Sequence, residues 1–251
     1  MTRTRRLSWS VLSFIFMIGC HRTPEDARKE LVAAGIAYTP ESFIDRVNAG
    51  DIKTVGLLLR AGMDPNTTTR NTIPAVFYAT VNACNKREQA KREHAIEILA
   101  ALLEHGVDFT TTSAAVSQIL NIFHDDWTPL MLLAACGCTE GVSLLLDHGA
   151  PLESKDGSGL TSLIIAAGHG NVDTVRELLA RRANIDAQGG PGSGQTALIA
   201  AAENGHKTVV LLLLQHGADV TKRDWAKRPA SECALPRHPD ISEILRRVEA
   251  G

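Results

Sequence analysis

The stretch Gly194-Gln195-Thr196-Ala197-Leu198-Ile199-Ala200-Ala201-Ala202-Glu203-Asn204-Gly205-His206, continued by Lys207-Thr208-Val209-Val210-Leu211-Leu212-Leu213-Leu214-Gln215-His216-Gly217-Ala218-Asp219-Val220, decides how the chain is read. Val210, Leu213 and Leu214 stand at i, i+3 and i+4, which is one stripe of a helix, and Gly217 just beyond supplies the left-handed residue that ends one. The phrase recurs at Val55, Leu58, Leu59, Gly62, at Leu99, Leu102, Leu103, Gly106, and at Val142, Leu145, Leu146, Gly149. It returns as Val175, Leu178, Leu179 with Arg182 in the glycine slot, and in worn form as Ile241, Ile244, Leu245. A stripe this short cannot bury itself, so its return every ~33 to 44 residues predicts stacked units sharing one core. The expected fold class is all-α, a solenoid of about six helix-turn-helix units.

Composition agrees with that reading. Apolar residues make up 44% of the 251-residue chain, enough for a continuous core, and aromatics only 4%, as suits cores built from Ala and Leu helix faces. A net charge of −2 gives no global field to recruit nucleic acid or an anionic surface, so no nucleic-acid partner is expected.

Thr128-Pro129-Leu130, Ala134-Ala135, Gly141, Leu145-Leu146 and His148-Gly149-Ala150 resemble the ankyrin repeat. Gly194 to Leu198, Ala201-Ala202, Asn204-Gly205-His206 and Gly217 to Val220 match its pattern more closely, and Thr161-Ser162-Leu163, Ala166-Ala167 and Gly168 to Asn171 belong to the copy between them. The resemblance covers residues 40–248. It implies units near 39–69, 70–110, 126–155, 156–188, 194–223 and 224–249 within a domain over 28–251. A capping helix is expected over Glu25–Gly35. Insertions fall near 83–94, where Asn85 to Glu93 should lengthen one or both helices, and near 110–125. Arg181-Arg182 predicts an atypical helix end in the fourth unit, and Gln188 to Gly194 an extended flexible finger before the fifth.

The first residues are set aside from the fold. Arg3, Arg5 and Arg6 precede an apolar run from Leu7 to Ile18 that is short for a membrane span, and the run ends in Met17-Ile18-Gly19-Cys20. This resembles a bacterial lipoprotein signal, although Met17 stands where Leu is more usual. The resemblance implies removal of 1–19, lipid attachment at Cys20 and a polar tether over 20–27. His21 after the Cys favours the periplasmic face of the outer membrane. The alternative is an ordinary signal peptide or uncleaved anchor with Cys20 incidental.

Candidate chemistry is sparse. The glycine-rich stretch 189–194 lacks the Lys-Ser/Thr of a phosphate loop. His105, His148 and His216 occupy one repeated position before the helix-ending glycine, where they should cap carbonyls, and positions roughly 10 Å apart cannot share a metal with bonds of ~2 Å. His124-Asp125-Asp126 has no assignable second ligand set, so no metal and no cofactor is expected. No nucleophile, base and orienting group assemble, and no catalytic residue is nominated. Cys84 and Cys138 both fall at the end of an inner helix, and a bridge of Cys84 with Cys138, or with Cys136, is the alternative to free buried thiols. Cys233 reads as a small buried residue.

Ankyrin stacks bind proteins through their turn tips and the exposed face of their inner helices. The resemblance therefore implies a non-enzymatic, lipid-tethered, monomeric module that holds a protein partner. Arg70, Trp127, Lys155, Arg223, Trp225 and Lys227 are the candidate contact residues, because Trp and Arg are frequent anchors. An immunity protein against an envelope toxin, or a structural or assembly factor of the envelope, are the alternatives.

Overall fold

The computed structural model describes residues 23–68, 73–110, 126–190, 192–235 and 237–250. The signal segment with Cys20, the candidate contact Arg70 and nearly all of the 110–125 insertion lie outside them. Among the described residues the regular elements are helices, and two isolated bridges, Thr68 with Pro74 and Arg223 with Pro229, are the extended pairings.

Helix α1 (Pro24–Ala33) opens the stack. Helix pairs follow in chain order: α2 (Pro40–Ala49) with α3 (Ile52–Arg60), α4 (Ala75–Ala83) with α5 (Gln89–Glu104), and α6 (Pro129–Cys136) with α7 (Thr139–Asp147). Then come α8 (Ser162–Gly168) with α9 (Val172–Ala180), α10 (Ala197–Glu203) with α11 (Lys207–Gln215), and α12 (Ala230–Cys233) with α13 (Pro239–Glu249). The first helices of successive pairs pack on one another, and the second helices do so from α3 through α11. Helix α1 lies on α3, with Arg28 Nε donating to the Ala61 carbonyl at 3.1 Å. Thr23 caps α1, so the chain is helical from Pro24 and the tether expected through residue 27 is shorter by that turn.

The inner helices start where Thr39, Thr128, Thr161 and Thr196 turn their hydroxyls back to the third following backbone N–H, satisfying a donor the helix leaves orphaned. In the middle of the stack they are buried nearly all round: Ser162 through Ala167 of α8 and Ala197 through Ala202 of α10 are inaccessible. Their small alanines let neighbouring backbones approach. The outer helices bury only their stripe. Val55, Leu58, Leu99, Leu102, Val142, Leu145, Val175, Leu178, Val210 and Leu213 are each fully buried and run through one continuous core. Each such side chain contributes about 1.5–3 kcal/mol of transfer free energy.

Every full outer helix ends alike. Gly149 N–H donates to Leu146 O and Ala150 N–H to Leu145 O, and the bonds recur at Gly62, Gly106 and Gly217. The fourth unit was expected to differ, and it does not. Arg182 takes the same left-handed backbone, φ 66°, and Arg182 and Ala183 make the same two bonds. Burial of Ala183 in the core holds the chain to that path despite the Cβ penalty.

The insertion at 83–94 is absorbed mainly by α5, which has 16 residues against nine in α3, α7, α9 and α11. Its extra turns carry the exposed Gln89, Glu93 and His94. Side chains also bond unit to unit across the inner turns. Asn82 Nδ2 donates to Asn48 O at 3.0 Å, Asn171 Nδ2 to Ala134 O and Ala135 O at 2.8 Å, and His206 Nε2 to Gly168 O at 3.0 Å.

Candidate partner-binding site

Between the units the chain makes hairpins that project beyond the inner helices, and two of them are built to one plan. At 156–160, Asp156 N–H donates to Leu160 O, and Asp156 Oδ1 accepts from the backbone of Ser158 and Leu160. At 224–228, Asp224 N–H donates to Arg228 O and Oδ1 accepts from Arg228 N–H at 2.8 Å. The fourth residue of each tip is left-handed, Gly159 at φ 77° and Lys227 at φ 63°. Asp224 is buried. Burial pushes its carboxyl up, but hydrogen bonds from the Arg228 backbone and guanidinium, with the guanidinium charge, outweigh that and hold it below the usual carboxylate range.

The glycine-rich segment lies between these two tips. It is the same hairpin with two residues added, closed by Gly189 N–H to Gln195 O at 2.9 Å. Gly190 N–H donates to Ser158 O at 2.8 Å on one side, and Trp225 N–H donates to Ser193 O at 3.1 Å on the other. Gln188 Nε2 bonds both Gly194 O and Arg223 O, and Lys155 Nζ bonds Gln188 O at 3.0 Å. The expected flexible finger is thus bonded into a rail with its neighbours. Glycine is required there for close approach: a Cβ on Gly159 would stand 2.2 Å from Gly190 N, and one on Gly194 2.9 Å from Trp225 N.

This rail borders a groove of about 190 Å³ lined by Ser193, Gln195, Glu203, Trp225 and Arg228 over Ile199. Trp225 is 69% exposed, the largest side chain among the exposed hydrophobics of the described residues. Gln195 Nε2 donates to Glu203 Oε2 at 3.1 Å. Arg228 faces the groove while its Nε and Nη2 hold Asp224 Oδ2 at 2.9 and 2.7 Å.

The structure sorts the candidate contacts. Trp225, Arg223 and Lys227 come together on the sixth tip and are exposed, and Lys155 lies two tips away. Trp127 is corrected: it is 5% exposed, and its Nε1–H donates to Asp156 Oδ2 at 3.1 Å, so it is a buried strut between the third and fourth units. Ser193 and Gln195 belong to the 188–195 turn tip, whereas Glu203 was not singled out from sequence: its type is unremarkable, and only the tertiary structure brings it to the groove.

The cysteine pairing is also corrected. Cys84, capping α4, is bonded to Cys136 at the end of α6, with a Cα–Cα distance of 5.5 Å, and Cys138 is a free buried thiol. Two residues separate the candidates, but Cys136 ends the helix that packs on α4, whereas Cys138 caps α7 with its sulfur 3.7 Å from Arg92 Nη2. Cys233 is buried, and burial first, then Asp224, push its thiol up to about 12, which makes it a poor nucleophile.

His105, His148 and His216 bond through Nδ1 to the carbonyls of Ala101, Leu144 and Leu212 at 2.8–2.9 Å. A carbonyl oxygen only accepts, so Nδ1 carries the proton and each ring caps its helix. Among the described residues no three His, Cys, Asp or Glu side chains form a group able to hold a metal, and no helix is long and apolar enough to cross a membrane.

Comparison with known proteins adds three findings. The family described as ankyrin repeats (3 copies) matches residues 89–189 and again 151–224. No curated protein matches the chain. Among solved structures, the crystal structure of EF0377, an ankyrin repeat protein, superposes with a TM-score of 0.67 at 26% sequence identity, covering 84% of this chain and 99% of that one.

Proposed function

The chain belongs to the ankyrin-repeat family, and from that premise we propose that it is an exported, lipid-anchored binding protein that holds one protein partner in the groove beside Trp225 and along the hairpin tips. Ankyrin repeats commonly mediate protein binding, and the fold is typically a non-catalytic scaffold. The observation that carries the reading is the placement of Trp225: a large aromatic side chain left 69% exposed beside a groove, on a tip rigidly bonded to its neighbour. The backbone under Trp225 is already fixed by its bond to Ser193, so that part of the tip loses little entropy on binding.

Two observations support export. The Arg3-to-Cys20 segment has the charge and hydropathy pattern of a lipoprotein signal. The Cys84–Cys136 bridge is a linkage that persists in oxidising compartments such as the periplasm.

The experiment is crosslinked capture of the protein, expressed from its full gene in its own host, beside the Trp225→Ala variant. A stoichiometric protein captured by the wild type and lost from the variant supports the reading. An envelope enzyme and an incoming toxin are told apart by the identity of the captured chain. Capture of nothing, or of a protein indifferent to Trp225, sinks it. In the same extracts Cys20→Ser should move the protein from the membrane to the soluble fraction, and unchanged membrane association removes the lipid anchor from the proposal.

A further inference from the structure

We propose that the sixth tip selects an acidic segment of the partner, whose carboxylates meet Arg223 and Lys227 while an apolar side chain packs on Trp225. The inference rests on the binding reading above and names the chemistry that the site accepts.

The tip from 219 to 228 carries four cations, Lys222, Arg223, Lys227 and Arg228, against two acids, Asp219 and Asp224. Both acids are committed internally. Asp224 gives Oδ1 to Arg228 N–H and Oδ2 to the Arg228 guanidinium. Asp219 gives Oδ1 to the backbone and hydroxyl of Thr221, with Lys222 3.9 Å from Oδ2. Arg223 and Lys227 remain. Arg223 Nη1 donates to the neutral Lys227 carbonyl at 2.9 Å, and neither side chain lies within ion-pair distance of a carboxylate among the described residues. Cations elsewhere on the stack are paired in part, Arg46, Arg176, Arg181, Lys207 and Arg247 each with an acid. What distinguishes this tip is that its two cations without an acid partner flank an exposed tryptophan.

Lys227 adds to this. The preceding two tips place Gly159 and Gly194 at the left-handed position, and this tip places a lysine there, at a cost of about 1 kcal/mol. The groove beside these cations is lined by Gly192, Ser193, Gln195, Trp225 and Arg228 over Ile199, and it receives the apolar side chain while the carboxylates stay at the rim. Glu203 stands among its lining residues, so an acidic run is attracted at the rim and repelled beside that carboxylate. A lipid surface fits less well, since each juxtamembrane cation contributes only about 1 kcal/mol and the tip has a small excess. Nucleic acid wants a row of cations that tracks phosphates, and the earlier tips do not continue one.

The test uses the full chain and a fluorescein-labelled Glu-rich peptide with one central Leu, read by fluorescence anisotropy, beside the same peptide with Gln for Glu. The Glu peptide should bind saturably, and the Gln peptide about tenfold more weakly. The double variant Arg223→Glu/Lys227→Glu, and separately Trp225→Ala, should each weaken the Glu peptide about tenfold. Lys53→Glu, exposed on α3 near the other end of the stack, should leave it unchanged. All these side chains are exposed, and matching thermal melts confirm that the variants fold. Equal affinity for the two peptides, indifference to the charge reversal, or no saturable binding overturns the inference. Capture of the chain by phosphatidylglycerol vesicles without peptide binding overturns it in favour of a lipid surface. If partner capture is lost in Trp225→Ala but survives the charge reversal, the binding reading stands and this one fails.

Discussion

Arg182 fills the slot occupied by glycine at 62, 106, 149 and 217, and its backbone is left-handed as theirs is. Substitution rules would place a frayed or redirected helix end there. The neighbours decide otherwise: Ala183 is buried in the core, and Arg182 and Ala183 keep the two bonds that close the other outer helices. The strain is therefore stored, and Arg182→Gly should raise stability by up to about 1 kcal/mol, less what glycine adds to unfolded-state entropy. Urea melts check this, and an unchanged or lower midpoint would show that Arg182 makes a compensating contact. Trp127 carries a related lesson. Its residue type is an anchor type, but the indole N–H has Asp156 as partner and the ring is covered, so type without burial misassigned it.

At the scale of the element, the Cys84–Cys136 bridge joins the ends of α4 and α6 across a sequence separation of 52 residues that includes the whole of α5. A crosslink closing a loop of that size stabilises by about 4 kcal/mol in the chain-entropy treatment, an upper value where the reduced chain retains structure. Reductant should accordingly lower the urea midpoint of the wild type and of Cys138→Ala, and leave that of Cys136→Ala unmoved. A response in Cys136→Ala, or its loss in Cys138→Ala, would favour the alternative pairing of Cys84 with Cys138. The sequence left Cys138 and Cys136 both open, because both stand at or near the end of the inner helix. Pairing followed instead from which helices pack, and α6 meets α4 with Cys136 at its end.

Over the whole molecule, acids at several points of the stack are tied into the fold, and this gives stability a pH dependence. Asp51, Asp219, Asp224 and Asp240 are held below the usual carboxylate value of 3.8 in the folded chain. For Asp51, as for Asp224, burial opposes the shift, and hydrogen bonds from Thr54, then the charge and hydrogen bond of Arg46, overcome it. Hydrogen bonds from Thr221 and Lys207 lead for Asp219 and Asp240. A depressed folded value means that the stabilisation is fully present above 3.8 and is lost as pH falls through the folded values. Cys233 acts at the other end. Raised from 9.0 to about 12, its thiol favours the folded state below 9.0, and that contribution is lost as pH climbs toward 12. Urea midpoints should hold steady between these limits and fall outside them, and Cys233→Ala should flatten the alkaline limb. An alkaline limb that survives the substitution would assign it to other groups.

The repeat itself was legible in the chain, because its signals are local. Leu at i+3 and i+4, Thr at the cap and Gly past the helix end each act within one or two turns, and their recurrence needs nothing distant to be recognised. The stack, the order of its helices and the continuous core followed from that. Which tips touch was decided only in three dimensions. The glycine segment docks on both neighbouring hairpins through Gly190 and Ser193, Trp225 stands clear while Trp127 is covered, and Cys136 displaces Cys138 as the partner of Cys84. These outcomes depend on approaches of a few ångströms between residues 29 or more positions apart, and local pattern carries no information about such distances.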